Sequence, residues 1–170
     1  MSERHEYTDE EWATLIGAPI AVIAAVIGAS PSGPIGISQE VLAAVRAFED
    51  AAKTRRSNPL IAAMLLTLRD RFYAYTGKSA DDPAVEQLDI FALGRDPARA
   101  VAVCRDAAAL LARKAPPDIT AEVRAWLMDL GNQVANAAIE GGFMGLDGER
   151  VNERERAILA EIAAALQAEG

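Results

Sequence analysis

The sequence predicts an all-α protein of about six or seven helices, and three observations carry that expectation. Alanine is abundant while aromatics make up only 5% of 170 residues, a composition that favours closely packed helices over strands. Apolar residues recur at helical spacing between clear start and stop signals. Most of the eight prolines fall at the ends of those segments, where a helix tolerates them. The length suits one domain spanning 1–170, with residues 1–7 expected to form a frayed, charged tail.

Thr8-Asp-Glu-Glu11 is a capping box that opens a first helix reaching Gly28, kinked near Pro19. The stretch Ser30-Pro-Ser-Gly-Pro-Ile-Gly36 reads as a turn, and Ser38 then caps a second helix through Lys53. Asn58-Pro59 pairs an N-cap with a proline at the first helical position and starts a third helix that stops at Gly77. Residues 79–94 are less regular, with a short helix expected from Val85 to Ala92. Asp96-Pro97 repeats the cap device and opens a helix to Lys114, which Pro116-Pro117 terminates. Thr120 caps a helix reaching Glu140, and Asn152-Glu-Arg-Glu155 is a second capping box that opens the last helix.

Shifting the chain by 114 positions aligns Trp12 with Trp126, Gly17 with Gly131, Ala21 with Ala135 and Gly28 with Gly142. The caps Ser38 and Asn152 stay in phase. The two tryptophans are the only ones in the chain, so a helix–loop–helix unit used twice, at about 9–54 and 123–168, is the reading. Asp129, Asn132, Gln133, Asn136 and Glu140 form a polar stripe in the second copy. Their counterparts in the first include Leu15, Val22 and Val26. The apolar first helix is therefore either the buried centre of the bundle or an interface in which Leu15, Val22 and Val26 meet a partner.

Several chemistries are excluded. A net charge of −8 opposes binding to a nucleic-acid backbone, and the basic clusters Lys53–Arg56 and Arg113–Lys114 sit where helices end, which the helix dipole favours. The single cysteine, Cys104, in an apolar run, rules out an internal disulfide and a cysteine zinc site. The one histidine, His5, lies in the tail, so no catalytic residues are assigned and an enzyme is not expected. Ala13 to Ser30 is 18 residues without a charge, at the lower edge of spanning length, but alanines, glycines and Pro19 dilute it, and a membrane partner is not expected. Glu6, Asp9, Glu10 and Glu11 also spoil a signal-peptide pattern, so a cytoplasmic location is expected.

The glycine-rich stretch Glu140 to Glu155 is neither a phosphate loop nor an EF-hand. It follows a helix and lacks Gly-Lys-Ser/Thr. With Gly148 at the EF-hand glycine, Arg154 would occupy the bidentate glutamate position. Phe143, Met144 and Leu146 instead suggest a corner folded onto the bundle. The carboxylates Asp81, Asp82, Glu86 and Asp89 have no evident partner and read as a solvated segment.

The repeated plan and the segment DGERVNERERAILAEIAAAL resemble the tellurite-resistance TerB-like families of helical bacterial proteins. The matching residues are Asp147, Gly148, Val151 and Glu155, covering roughly 123–168 and, more faintly, 9–54. An extra residue separates Gly148 from Val151, and the first copy has proline and serine where acids are expected. The resemblance implies a divalent-cation-binding stress-response module, with Ca2+ or another divalent cation held by Asp147 and Glu155. The residues themselves lead first to a noncatalytic helical domain that needs no cofactor and works through contact with a protein partner or a second copy. A carrier or enzyme with an apolar pocket between helices is a further alternative.

Overall fold

The computed structural model describes residues 3–30, 33–75, 93–140 and 153–168. They form a helical bundle: a 3-10 turn at Glu3–Glu6, α1 (Asp9–Ala29), α2 (Gly33–Thr54), α3 (Pro59–Tyr75), α4 (Pro97–Lys114), α5 (Pro117–Glu140) and α6 (Glu153–Gln167). No strand occurs among the described residues.

Among the described residues, side-chain caps mark three of the six helix starts. Thr8 Oγ1 accepts from the Glu11 N–H at 3.2 Å while the Thr8 N–H donates to Glu11 Oε2 at 2.8 Å. Asn58 Oδ1 accepts from the Ile61 N–H, and Asp96 caps α4 through the Arg99 N–H with Pro97 following. Two starts differ from expectation. α2 begins at Gly33 rather than after Ser38, because a proline in the first helical turn lacks only an N–H that no helical carbonyl awaits. α5 likewise begins at Pro117. Thr120 therefore lies inside α5, and its hydroxyl donates to the Leu111 carbonyl instead of capping. The expected stop at Gly77, the short helix 85–92, the corner residues Phe143, Met144 and Leu146, and the Asn152 cap all lie outside the described residues.

α1 is the centre of the bundle. It packs against all five other helices and is continuous through Pro19. It is long and apolar enough to cross a membrane, and 72% of that apolar window is buried inside the fold. α4 runs antiparallel to it, with Glu11 beside Lys114 at one end, Gly17 against Val103 in the middle and Gly28 against Gly94 at the other. Small residues at these crossings let the two backbones approach closely. Each fully buried Leu or Ile along α1 contributes about 1.5–3 kcal/mol, which makes this contact a main source of stability.

The two matching segments are each a helix followed by a helix, and the second helix of each packs on the first of the other, α2 on α5 and α6 on α1. Trp12 and Trp126 are both buried, beside Tyr7 and Phe48 respectively.

The expected frayed tail is instead tied down from residue 4 to residue 7. Tyr7 is buried and tilted against Trp12 with ring centroids 6.0 Å apart. Arg4 lies over the Trp12 ring, donates to the Tyr7 carbonyl and pairs with Asp9. Lys114 Nζ donates to the Glu6 carbonyl and to Glu11 Oε2 at 2.6 Å. Aromatic area and the cations that cover it outweigh the entropy of so short a segment.

Candidate functional site: the two faces of the second helix

The interface residues expected on α1 are core residues. Leu15, Val22 and Val26 are each 0% exposed. Of the two sequence alternatives the fold takes the buried centre, because α2, α4, α5 and α6 surround a helix that is apolar on every side. Those three side chains have no surface left to offer a partner.

Of the metal pair, Asp147 lies outside the described residues. Glu155 is buried in the first turn of α6. Glu40, in the N-terminal half of α2, is buried as well, and both glutamates are partnered. Among the described residues no three acidic, histidine or cysteine side chains gather as metal ligands. The Cys104 thiol is fully buried and its pKa is pushed up to about 12 by desolvation, which removes the thiolate that nucleophilic chemistry needs. His5 is exposed on the N-terminal turn.

What sequence reasoning missed is the way α2 is turned. Its inward arc carries the small residues Ala44, Ala47 and Ala51, all buried, with Phe48 packed against the core beside them. Its outward arc carries Val41, Leu42 and Val45, which are 36%, 48% and 40% exposed. At 100° per residue these three fall within one arc. Arg46 and Glu49 stand on the same outward side, without an ion pair among the described residues. Larger aliphatics usually face inward, but here α5 turns Trp126 and Leu130 toward α2, where Ala47 and Ala51 border them and Phe48 packs beside the Trp126 ring. The signal available in the sequence was the split between an alanine arc and a valine–leucine arc on one helix.

Between them α2 and α5 border an open groove of about 240 Å³. Ala47, Ala51, Leu130 and Trp126 line it with apolar surface, and Asp50, Thr54, Arg55, Asp129 and Gln133 supply its polar groups. Arg55 is ion-paired to Asp129 across the two walls. Lys53 approaches Asp50 at 3.6 Å, and the Thr54 hydroxyl donates to the Asp50 carbonyl. The Trp126 indole N–H is buried with no acceptor among the described residues, a defect worth about 1–3 kcal/mol. Of the polar stripe read from the sequence, Asp129 and Gln133 border the groove, and Asn132 and Asn136 continue along the exposed side of α5.

Compared with protein families, characterised proteins and solved structures, the chain matches none.

Proposed function

We propose that this chain is a noncatalytic helical domain that works through protein–protein contact, with the outward face of α2 as its contact surface. One observation carries the reading. Four large apolar side chains are exposed among the described residues, Val41, Leu42, Val45 and Leu66, and three of them share one arc of one helix. Apolar residues scattered singly over a surface need no explanation, whereas a cluster flanked by charges is what a binding face looks like. Arg46 and Glu49 supply the flanking charges. The small apolar area suits a transient contact with one helix or edge of a partner rather than a permanent assembly.

The test is site-specific. A photoreactive residue at Leu42, in cells producing the protein, should crosslink to a discrete partner protein or to a second copy. Sedimentation of the purified chain at high concentration separates those two outcomes. Crosslinking no stronger than from the exposed Arg105 position would overturn the reading.

A further inference from the structure

The outward face of α2 has a counterpart inside the fold. Shifting the chain by 114 positions carries Val41, Val45 and Ala52 onto Glu155, Leu159 and Leu166 of α6. The three positions on α6 are buried, and α6 packs on α1 and α4. The three on α2 are exposed. One unit of the repeat thus has helices over a face that the other leaves bare, so a helix is the shape that fits it.

The order of side chains along α2 selects which helix. Leu42, Val45, Glu49 and Ala52 are all exposed and follow one another at steps of three and four residues, the spacing of a two-helix seam. Arg46 and Glu49 both lie to one side of the line through Val45 and Ala52, a turn apart and opposite in charge. A two-fold axis reverses the direction of the second helix while keeping flank against flank. With that axis beside Ala47, Leu42 of each copy lies beside Ala52 of the other. Arg46 of each copy then falls within one residue's rise, about 1.5 Å, of Glu49 of the other, and both charge pairs form. A parallel pair would instead set arginine level with arginine and glutamate level with glutamate.

We propose that α2 pairs with α2 of a second copy, antiparallel about a two-fold axis, through Leu42, Val45 and the reciprocal Arg46–Glu49 pairs. The inference rests on the contact reading above and names its partner. With only Val41, Leu42 and Val45 as large apolar side chains on this face, the contact is small beside the roughly 1,000 Å² of a stable interface. The dimer should therefore be weak and concentration-dependent.

Sedimentation equilibrium of the purified chain over a wide concentration range should show a reversible monomer–dimer equilibrium. Leu42→Asp should abolish it. Arg46→Glu alone and Glu49→Arg alone should each weaken it at least about tenfold, a loss of about 1.4 kcal/mol, because each sets like charges face to face. Mixed in equal amounts, those two variants should associate about as strongly as the wild type, since each then meets its opposite. All three substitutions fall at exposed positions, so helix content should be unchanged. A wild type that stays monomeric would overturn the proposal. So would a dimer that survives Leu42→Asp, or a mixture no stronger than either variant alone. The contact reading stands or falls separately, on whether Leu42 crosslinks in cells above the Arg105 background.

Discussion

Gly28 and Gly94 meet backbone against backbone where the end of α1 passes the residues preceding α4. A Cβ on Gly28 would stand 2.7 Å from the Gly94 carbonyl carbon and closer still to its oxygen, and one on Gly94 would stand 2.7 Å from the Ala24 carbonyl oxygen. Neither carbonyl can step aside as a side chain could. Gly28→Ala should therefore destabilise by about 3 kcal/mol, at the upper end of what overpacking costs, even though alanine is the better helix former. Gly17 is the control. Its Cβ would sit 3.4 Å from Val103 Cγ1, an ordinary contact, so Gly17→Ala should be neutral or stabilise by about 0.5–1 kcal/mol. Urea melts of the two variants should move in opposite directions. Equal effects would contradict the close crossing.

Val22 and Leu42 make a second contrasting pair, because the helix that looked like an interface is the core and the helix beside it carries the exposed patch. Val22→Asp buries a carboxylate at a site with 0% exposure. It should cost upwards of about 4 kcal/mol and leave little folded protein. Leu42→Asp, at 48% exposure, should change stability by less than about 0.5 kcal/mol. Circular dichroism and thermal melts decide this before any binding experiment.

Local signals made most of this fold legible. Thr8 with Glu11, Asn58 with Pro59 and Asp96 with Pro97 act within a few residues, so the helix starts that they mark need no tertiary information. Pro34 and Gly36 misled for the same reason: read locally they make a turn, yet both fall early in α2. The split of α2 into an alanine arc and a valine–leucine arc was legible, but which of the two faces inward was not. Which arc faces inward depends on how closely α5 approaches, and α5 brings Trp126 against the alanines from more than seventy residues away. The burial of α1 was half legible. A helix that is apolar all round fits both a centre and an interface, and only the number of helices around it separates the two.

Cys104 should be silent in the native state. Its thiol is buried, with a pKa of about 12, so almost no thiolate exists at pH 8. Labelling by a thiol reagent should wait on unfolding and should accelerate with denaturant in parallel with loss of helix. Rapid stoichiometric labelling of the folded chain would contradict this packing.

Glu11 gives a pH dependence with a definite sign. The Lys114 ammonium, first, and then the Thr8 N–H hold its carboxyl below its ordinary value of 4.5. A folded-state pKa below the unfolded one means that the unfolded chain binds the proton more readily. The stabilisation is therefore present above about pH 4.5 and is lost as pH falls through the lower, folded value. Glu11→Gln should be less stable than the wild type at pH 6 and should lose less on acidification, the two denaturation curves converging toward pH 3. Lys114→Met should flatten the same limb. Parallel curves for Glu11→Gln and the wild type would remove Glu11 from the account.

Asn58 joins the start of α3 to the start of α5 and is 1% exposed. Its Oδ1 accepts from the Ile61 N–H at 3.0 Å, while its Nδ2 donates to Glu122 Oε2 at 3.0 Å and to the Ile119 carbonyl at 3.4 Å. The side chain thus caps one helix with its acceptor and holds another with its donors, a division that an amide can make and a carboxylate cannot. Asn58→Ala loses both and should cost about 1–2 kcal/mol through the cap alone. Asn58→Asp is the sharper test. It keeps an excellent capping acceptor, so a cap-only role predicts little change. In this structure it would instead set a buried carboxylate against Glu122 and the Ile119 carbonyl, with no donor for either. At pH 7 Asn58→Asp should therefore be at least as damaging as Asn58→Ala. Burial and the like charge should raise the pKa of the introduced carboxyl above its unfolded value, so its penalty is largest at neutral pH and eases as the solution is acidified toward pH 4. Stability measured for both variants against the wild type at pH 7 and pH 4 separates the two roles. If Asn58→Asp matched the wild type at pH 7, the bond to Glu122 would have no energetic weight.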